Sequence, residues 1–266
     1  MNDLLLSEIN AEEIDLLQAV ALIEEFIFGE PVDALEYAKQ LSDYCQSTVS
    51  SLTDELDKAE QLINELYVHQ LFIDIHRQVW PVVSHQLSHA LSYRMLAPML
   101  KCILLKHIIS HCGFDTEIVF VPEKVMLRII CENDYAIIFD PVTGESLTWH
   151  DLDQRLDELS GDPSQQQVEV IADRDVVYKY ISSMKNALIA EQQFDHALKC
   201  IDILLAMRPD DPFERRDRGF LLHQLDCFKV AYDDYRYFIE QCPQDPAAQL
   251  LKIQLDNIKI ANTVLH

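Results

Sequence analysis

FDHALKCIDILLAMRPDDP at 194–212 and FKVAYDDYRYFIEQCPQDP at 228–246 are the stretches that decide the fold. Set one above the other, they agree at a fixed offset of 34 residues: Phe194 with Phe228, Ala197 with Ala231, Pro209 with Pro243, and Asp211-Pro212 with Asp245-Pro246. Matches in register over two units mark an internal repeat. In the second unit Gly219 stands twelve residues before Ala231, where small side chains let two helices approach closely, and Tyr235 supplies an aromatic four residues later. Lys185 occupies the position that corresponds to Gly219 in the first unit, which makes that unit the weaker match.

A period of 34 is that of the tetratricopeptide repeat. Two units and a final helix over about 246–262 fall short of the three repeats such arrays need for stability, so the tail has to pack on the rest of the chain or on another copy. The usual repeat geometry places Lys179, Ser182, Asn186 and Ile189 on the inner face of the first unit, and Phe213, Arg216, Phe220, His223 and Gln224 on that of the second. This predicts a groove for a protein or peptide partner, with Lys179, Asn186, Phe213, Arg216, Phe220, His223 and Gln224 as its contact residues. The run Glu214-Arg215-Arg216-Asp217-Arg218 has two readings: arginines that clamp a partner's carboxylate, or arginines that dock the repeats onto the acidic first domain.

Upstream, residues 10–70 read as helices, with Asn10 and Glu13 as a capping box and with Pro31 and Thr53 at two further helix starts. From Pro98 to Gly113 the chain is apolar nearly all round, which predicts a central buried helix. TEIVFV, KVMLRIIC and YAIIF are short, rich in β-branched residues and separated by turn chemistry at Pro122, Glu132-Asn133-Asp134 and Asp140-Pro141, which predicts a small antiparallel sheet over about 115–149. Ser146 or Thr148 is then expected to cap a helix over DLDQRLDEL, and SGDPSQQQ at 160–167 reads as a linker. The expected organisation is a helical segment plus core over 1–160, a linker over 161–172, and two repeats with a capping helix over 173–266.

Composition sets the class of partner. With 45 acidic against 21 basic side chains the formal charge is −24 at pH 7, which repels phosphate backbones and anionic bilayers, so neither nucleic acid nor membrane is expected. The opening residues carry no basic leader region, and seven scattered cysteines without a CxxC pair read as reduced thiols, so a cytoplasmic location is expected. No metal and no cofactor are expected: His85/His89 and His107/His111 lack a third ligand at suitable spacing, and no GxGxxG, GxxxxGK[ST] or GxSxG motif occurs.

Four further motifs carry a resemblance: R-x-x-x-P at Arg94–Pro98, GFDTEIVFVPEKVMLRI from Gly113, DPVTGE from Asp140 and DPFERRDRG from Asp211. Over roughly residues 80–266 the chain resembles the bacterial SirB family, in which a transglutaminase-like core precedes tetratricopeptide repeats and whose members are named as regulators. The resemblance implies an α+β, mainly helical fold with a papain-like core. It also implies that the positions of the catalytic cysteine, histidine and aspartate of active relatives fall at Pro98, Lys124 and Asp140. A proline has no nucleophile, and a lysine serves as a base only if its pKa falls by about three units, so only the aspartate survives. The expectation is a pseudo-enzyme that acts as a non-catalytic, protein-binding scaffold or regulator, as a monomer or homodimer. The alternative is a thiol hydrolase or acyl transferase using Cys102, one helical turn beyond Pro98, with Asp140; a third reading keeps the vestigial core as a small-molecule sensor.

Overall fold

PMLKCILLKHIISH at 98–111 forms the helix around which the first half of the chain is built. Its proline sits in the first turn, where the missing N–H has no intrahelical partner to lose. Nine of its residues, from Met99 through Ile109, are buried. The structure is a computed structural model that describes residues 3–30, 33–121, 124–131, 135–148, 150, 168–253 and 255. In chain order the elements are α1 (Asp3–Ile9), α2 (Leu16–Phe28), α3 (Ala34–Val49), α4 (Glu55–Asn64, running into a π-turn at Glu65–His69), a 3₁₀ turn (Val82–His85), α5 (Leu87–Tyr93), α6 (Pro98–His111), β1 (Asp115–Val121), β2 (Lys124–Ile130), β3 (Ala136–Phe139), β4 (Glu169–Val170), α7 (Asp173–Ala190), α8 (Phe194–Met207), α9 (Pro212–Gln224) and α10 (Phe228–Gln241). Residues 246–253 are helical as well. The expected α+β, mainly helical class with a small antiparallel sheet is what the chain adopts.

The first compact unit ends at Ser183 and the second begins at Met184. In the first, α2, α3, β1 and β2 all pack against α6. The sheet has the order β3-β2-β1-β4, all pairs antiparallel, with Ile118 opposite Leu127 and Leu127 opposite Phe139. Alternate residues Val119, Val121, Met126 and Ile138 make a small core of their own, to which Leu147 and Val168 are added.

Several local expectations are corrected. Helix α2 is capped not by Asn10 but by Asp15, whose carboxylate accepts from the Leu17 and Gln18 N–H groups at 3.1 and 3.0 Å. Helix α4 is capped by Asp54, next to the expected Thr53, through the Asp57 N–H at 3.0 Å. Ser146 bridges Phe139 in an antiparallel pair, and the helix that it or Thr148 was expected to cap lies outside the described residues. The end of the expected linker joins the sheet: Glu169 and Val170 pair with β1, and the Ile171 N–H donates to the Ile118 carbonyl at 2.9 Å. The polar run before Val168 hides this apolar pair of anchors, Val168 and Ile171. The turns at Pro122 and 132–134, the Pro31 helix start, the 151–159 helix, the 160–167 run and the end of the 246–262 helix lie outside the described residues.

Helix α7 crosses the divide. Its first half buries Val176, Val177, Tyr180 and Ile181 completely within the first unit. There the Tyr180 hydroxyl donates toward the His85 carbonyl at 2.9 Å and toward Glu24 Oε1 at 3.1 Å, and Glu24 Oε1 also accepts from the Leu87 N–H at 2.8 Å. Burial pushes the Glu24 carboxyl from its usual 4.5 up to about 8, against the pull of these two donors. The folded chain therefore holds a proton that the unfolded chain gives up, and this group lowers stability as pH rises from about 4.5 to about 8. Urea unfolding of the parent and of Glu24→Gln at those two pH values is expected to show the parent losing more stability, by an amount on the order of a few kcal/mol.

In the second unit the repeat geometry is confirmed. Asp211 caps α9 through the Phe213 and Glu214 N–H groups at 2.9 and 3.3 Å, with Pro212 in the first turn. At Gly219 a Cβ would meet the Tyr235 ring at 2.9 Å and the Ala231 carbonyl at 3.2 Å, so the expected close approach of α9 and α10 leaves no room for a side chain. Ala231→Trp or Gly219→Leu is expected to overpack this helix pair and cost about 1–3 kcal/mol in chemical denaturation, whereas Lys252→Ala on the exposed face of the following helix is expected to stay within about 0.5 kcal/mol of the parent.

Candidate functional site

Lys101, the fourth residue of α6, is completely buried. Its ammonium donates to the carbonyl of Phe72 and, at 3.1 Å, to that of Val142, and lies 5.5 Å from the centre of the Tyr67 ring. Burial lowers its pKa to about 8, with the Asp74 carboxylate chief among the groups that oppose the shift. Two distant segments are thereby fastened to one helix. The Asp74 N–H donates to Val142 O at 3.0 Å and the Tyr67 hydroxyl to Pro141 O at 2.8 Å, which completes the junction. Gly144, at φ 78°, closes the turn after Asp140, and a Cβ there would strike the Tyr67 ring at 2.6 Å.

This junction sets the geometry around Asp140. The residue follows β3, while Lys124 opens the neighbouring β2, and the Lys124 ammonium reaches Asp140 Oδ2 at 3.3 Å. His76 arrives from the 72–80 segment, with Nε2 at 2.7 Å from Asp140 Oδ2 and 3.4 Å from the Lys124 ammonium. Oδ1 of Asp140 accepts from the Val142 N–H at 2.8 Å. Burial raises the carboxyl's pKa, but the Val142 N–H, His76 and Lys124 outweigh it and hold the group below its usual range.

Besides Lys124, at the position that the resemblance gives to the histidine, an imidazole from a different segment, that of His76, stands beside Asp140. The strands offer none, since no histidine occurs between His111 and His150, and this one comes from upstream of α6. The signal was present in LFIDIHRQVW, where Phe72, Asp74 and His76 alternate along an extended stretch, but nothing local says that Asp140 lies opposite. Pro98 is half-buried in the first turn of α6. Cys102 is completely buried, and its thiol pKa is raised by burial first and then by the Asp140 charge, with Lys101 opposing. An activated thiol has the reverse environment, with access to solvent and a lowered pKa.

In the repeat unit, Asn186, Phe213, Phe220 and Gln224 are exposed, with Phe213 at 47% and Phe220 at 39%. Arg216 and His223 lie on the same side of α9, at helical spacing from both phenylalanines. Arg216 packs over the Phe213 and Phe238 rings, 5.6 and 5.4 Å from their centres, and its guanidinium makes a forked contact with Asp217 Oδ1 at 2.7 and 3.0 Å. His223 sits edge-on to Phe228, with 5.2 Å between ring centres. Lys179, expected in the same groove, belongs to the first unit, where its ammonium lies 5.7 Å from the Phe120 ring centre.

The arginine run has partners within its own unit. Arg218 holds Asp234 with two bonds of 2.6 and 2.7 Å, and Arg215 lies 4.3 Å from the centre of the Tyr237 ring. Lys185, which replaces the small repeat residue, is buried and bonded to Glu214 and Asp217, each at 2.7 Å. Burial disfavours its charge, yet the Asp217 and Glu214 carboxylates outweigh that and raise its pKa.

A model of the transglutaminase-like superfamily matches residues 33–182, more than half of the chain. The chain belongs to the transglutaminase-like superfamily. The match reaches well before residue 80, where the resemblance was expected to begin, and so takes in His76 and Lys101. A tetratricopeptide-repeat model follows at residues 184–256. This transglutaminase-like chain is 35% identical to a UPF0162 protein of Vibrio cholerae over 156 residues and 37% identical to UPF0162 protein YchA of Escherichia coli over 151 residues. These matches span 58% and 56% of the relatives' own lengths, and the same shares of this chain. Protein SirB1 of Salmonella typhimurium is 28% identical over 234 residues, 86% of each chain, which bears out the SirB resemblance. Among the described residues, no helix is long and apolar enough to cross a membrane.

Alkylation with iodoacetamide checks the state of Cys102. In the native protein the exposed Cys227 is expected to react while Cys102 stays unmodified until the chain unfolds; native labelling of Cys102 below pH about 8.5 would restore the thiol-enzyme reading.

Proposed function

We propose that this chain is a non-catalytic, protein-binding regulator located in the cytoplasm, in which the repeat unit grips a peptide segment and the transglutaminase-like unit serves as its folded support. The observation that carries the reading is the face of α9: two phenylalanines left exposed at seven-residue spacing, with Arg216 and His223 between and beyond them. Large aromatic and arginine side chains dominate the energetics of protein contacts, and exposed aromatic side chains grouped on one helix face favour such a contact. Asn186, Phe213, Arg216, Phe220, His223 and Gln224 form the proposed groove.

Two further points support a role without chemistry. The thiol nearest the family's nucleophile position is sealed in the core, and the imidazole and ammonium around Asp140 are both spent on the same carboxylate oxygen.

Affinity capture from native lysate tests it, with the intact chain compared against Phe220→Asp. This position is chosen over Arg216, whose loss would also disturb Asp217. A protein retained by the parent and lost from a Phe220→Asp chain of unchanged thermal stability is the expected result. Equal retention by both would exclude the α9 face as the binding site.

A further inference from the structure

The R-x-x-x-P motif that begins at Arg94 is used neither by the groove nor by the Asp140 cluster. Arg94 closes α5 with φ 55° and ψ 24°, a left-handed conformation that penalises any Cβ and that glycine usually fills at a helix end. The side chain retained at this cost is tightly held. Its Nη2 donates to the Tyr37 hydroxyl at 2.6 Å and its Nη1 to the Leu91 carbonyl at 3.0 Å. The guanidinium carbon lies 4.9 Å from the centre of the Phe72 ring and 5.6 Å from that of Tyr37. A guanidinium has five N–H donors in a rigid fork, so one fixed by two such bonds is oriented in advance for a further acceptor.

Beside this fork lies a cleft of about 430 Å³ between α3 and α5. That volume falls in the range of small-molecule sites, about 300–1,000 Å³. Tyr37 and Leu91 supply an apolar wall, Ser88 and Ser92 a polar one, and the charged lining residues are Arg94 and Asp33. Asp33 stands just before α3, yet its carboxylate makes no capping bond to that helix. One cation and one anion thus line the same small space.

We propose that this cleft binds a small zwitterion of the α-amino acid class, with the carboxylate on Arg94 and Tyr37, the ammonium on Asp33, and the side chain against Leu91. Charge balance selects this class. A simple organic anion would meet the like charge of Asp33 and a simple amine that of Arg94, whereas a molecule carrying both groups satisfies both residues. The site is separate from the α9 groove and does not depend on it.

The test uses the full chain and the twenty proteinogenic L-amino acids as probes, each at about 10 mM, with thermal unfolding as a first readout and titration calorimetry for those that raise the transition. At least one is expected to bind, and its N-acetyl and C-amide derivatives are expected to bind about tenfold more weakly or less. Asp33→Asn, which disturbs no capping bond, and Arg94→Gly, which suits the left-handed backbone, are each expected to weaken binding by about tenfold or more. Asp33→Asn is also expected to unfold at the parent's temperature. The proposal is overturned if no amino acid shifts the transition, if a blocked derivative binds as well as the free probe, or if Asp33→Asn binds as the parent does.

Discussion

A buried ammonium holds the first unit together at the point where its chemistry is concentrated. Lys101 reaches from the central helix to two backbone carbonyls that belong to segments seventy residues apart in the chain, Phe72 and Val142. Without a donor there, the Phe72 carbonyl would lose its side-chain partner in the core, at about 1–3 kcal/mol, and the Val142 carbonyl would keep the Asp74 N–H alone. With it, the 72–76 stretch is laid along the 140–142 turn, and His76, Lys124 and Asp140 converge as a result. A charged group inside an otherwise apolar helix is costly in isolation; here it carries information about which segments meet.

The second unit uses the same device with a different partner set. Lys185 takes the place of a small residue, and in place of two carbonyls it meets two carboxylates, Glu214 and Asp217 of α9. Where Gly219 allows α9 and α10 to touch through backbone and ring, Lys185 joins α7 to α9 through charge. Each repeat junction is therefore closed, one by removing a side chain and the other by pairing one.

How much of this was legible follows from the range of the signals involved. The 34-residue period, the all-round apolar α6 and the three β-branched runs are local patterns, and the elements they predict are the elements present. The repeat contact at Gly219 was legible too, because period and residue size together specify it. What sequence could not supply were the long-range pairings: Lys101 with Phe72 and Val142, His76 with Asp140, Lys185 with Glu214. Each depends on which surfaces meet, and no spacing rule encodes that. Lys185 shows the difficulty best, since the feature that weakened the repeat signature is the one that binds the unit. The short strand β4 was hidden for a simpler reason, because a two-residue pairing carries too few apolar positions to stand out from the polar run before it.

Asp217 receives both the Lys185 ammonium and the Arg216 guanidinium, on its two different oxygens. One carboxylate therefore serves the interior of the repeat unit and its outer face at once. A lineage that changes the charge at 185 cannot do so alone: Glu214 and Asp217 would both lose the ammonium they share, and Arg216 would gain a carboxylate with a freed oxygen. Positions 185, 214, 216 and 217 should accordingly drift as a set among related chains, so that the electrostatic character of the exposed face is inherited together with the packing beneath it.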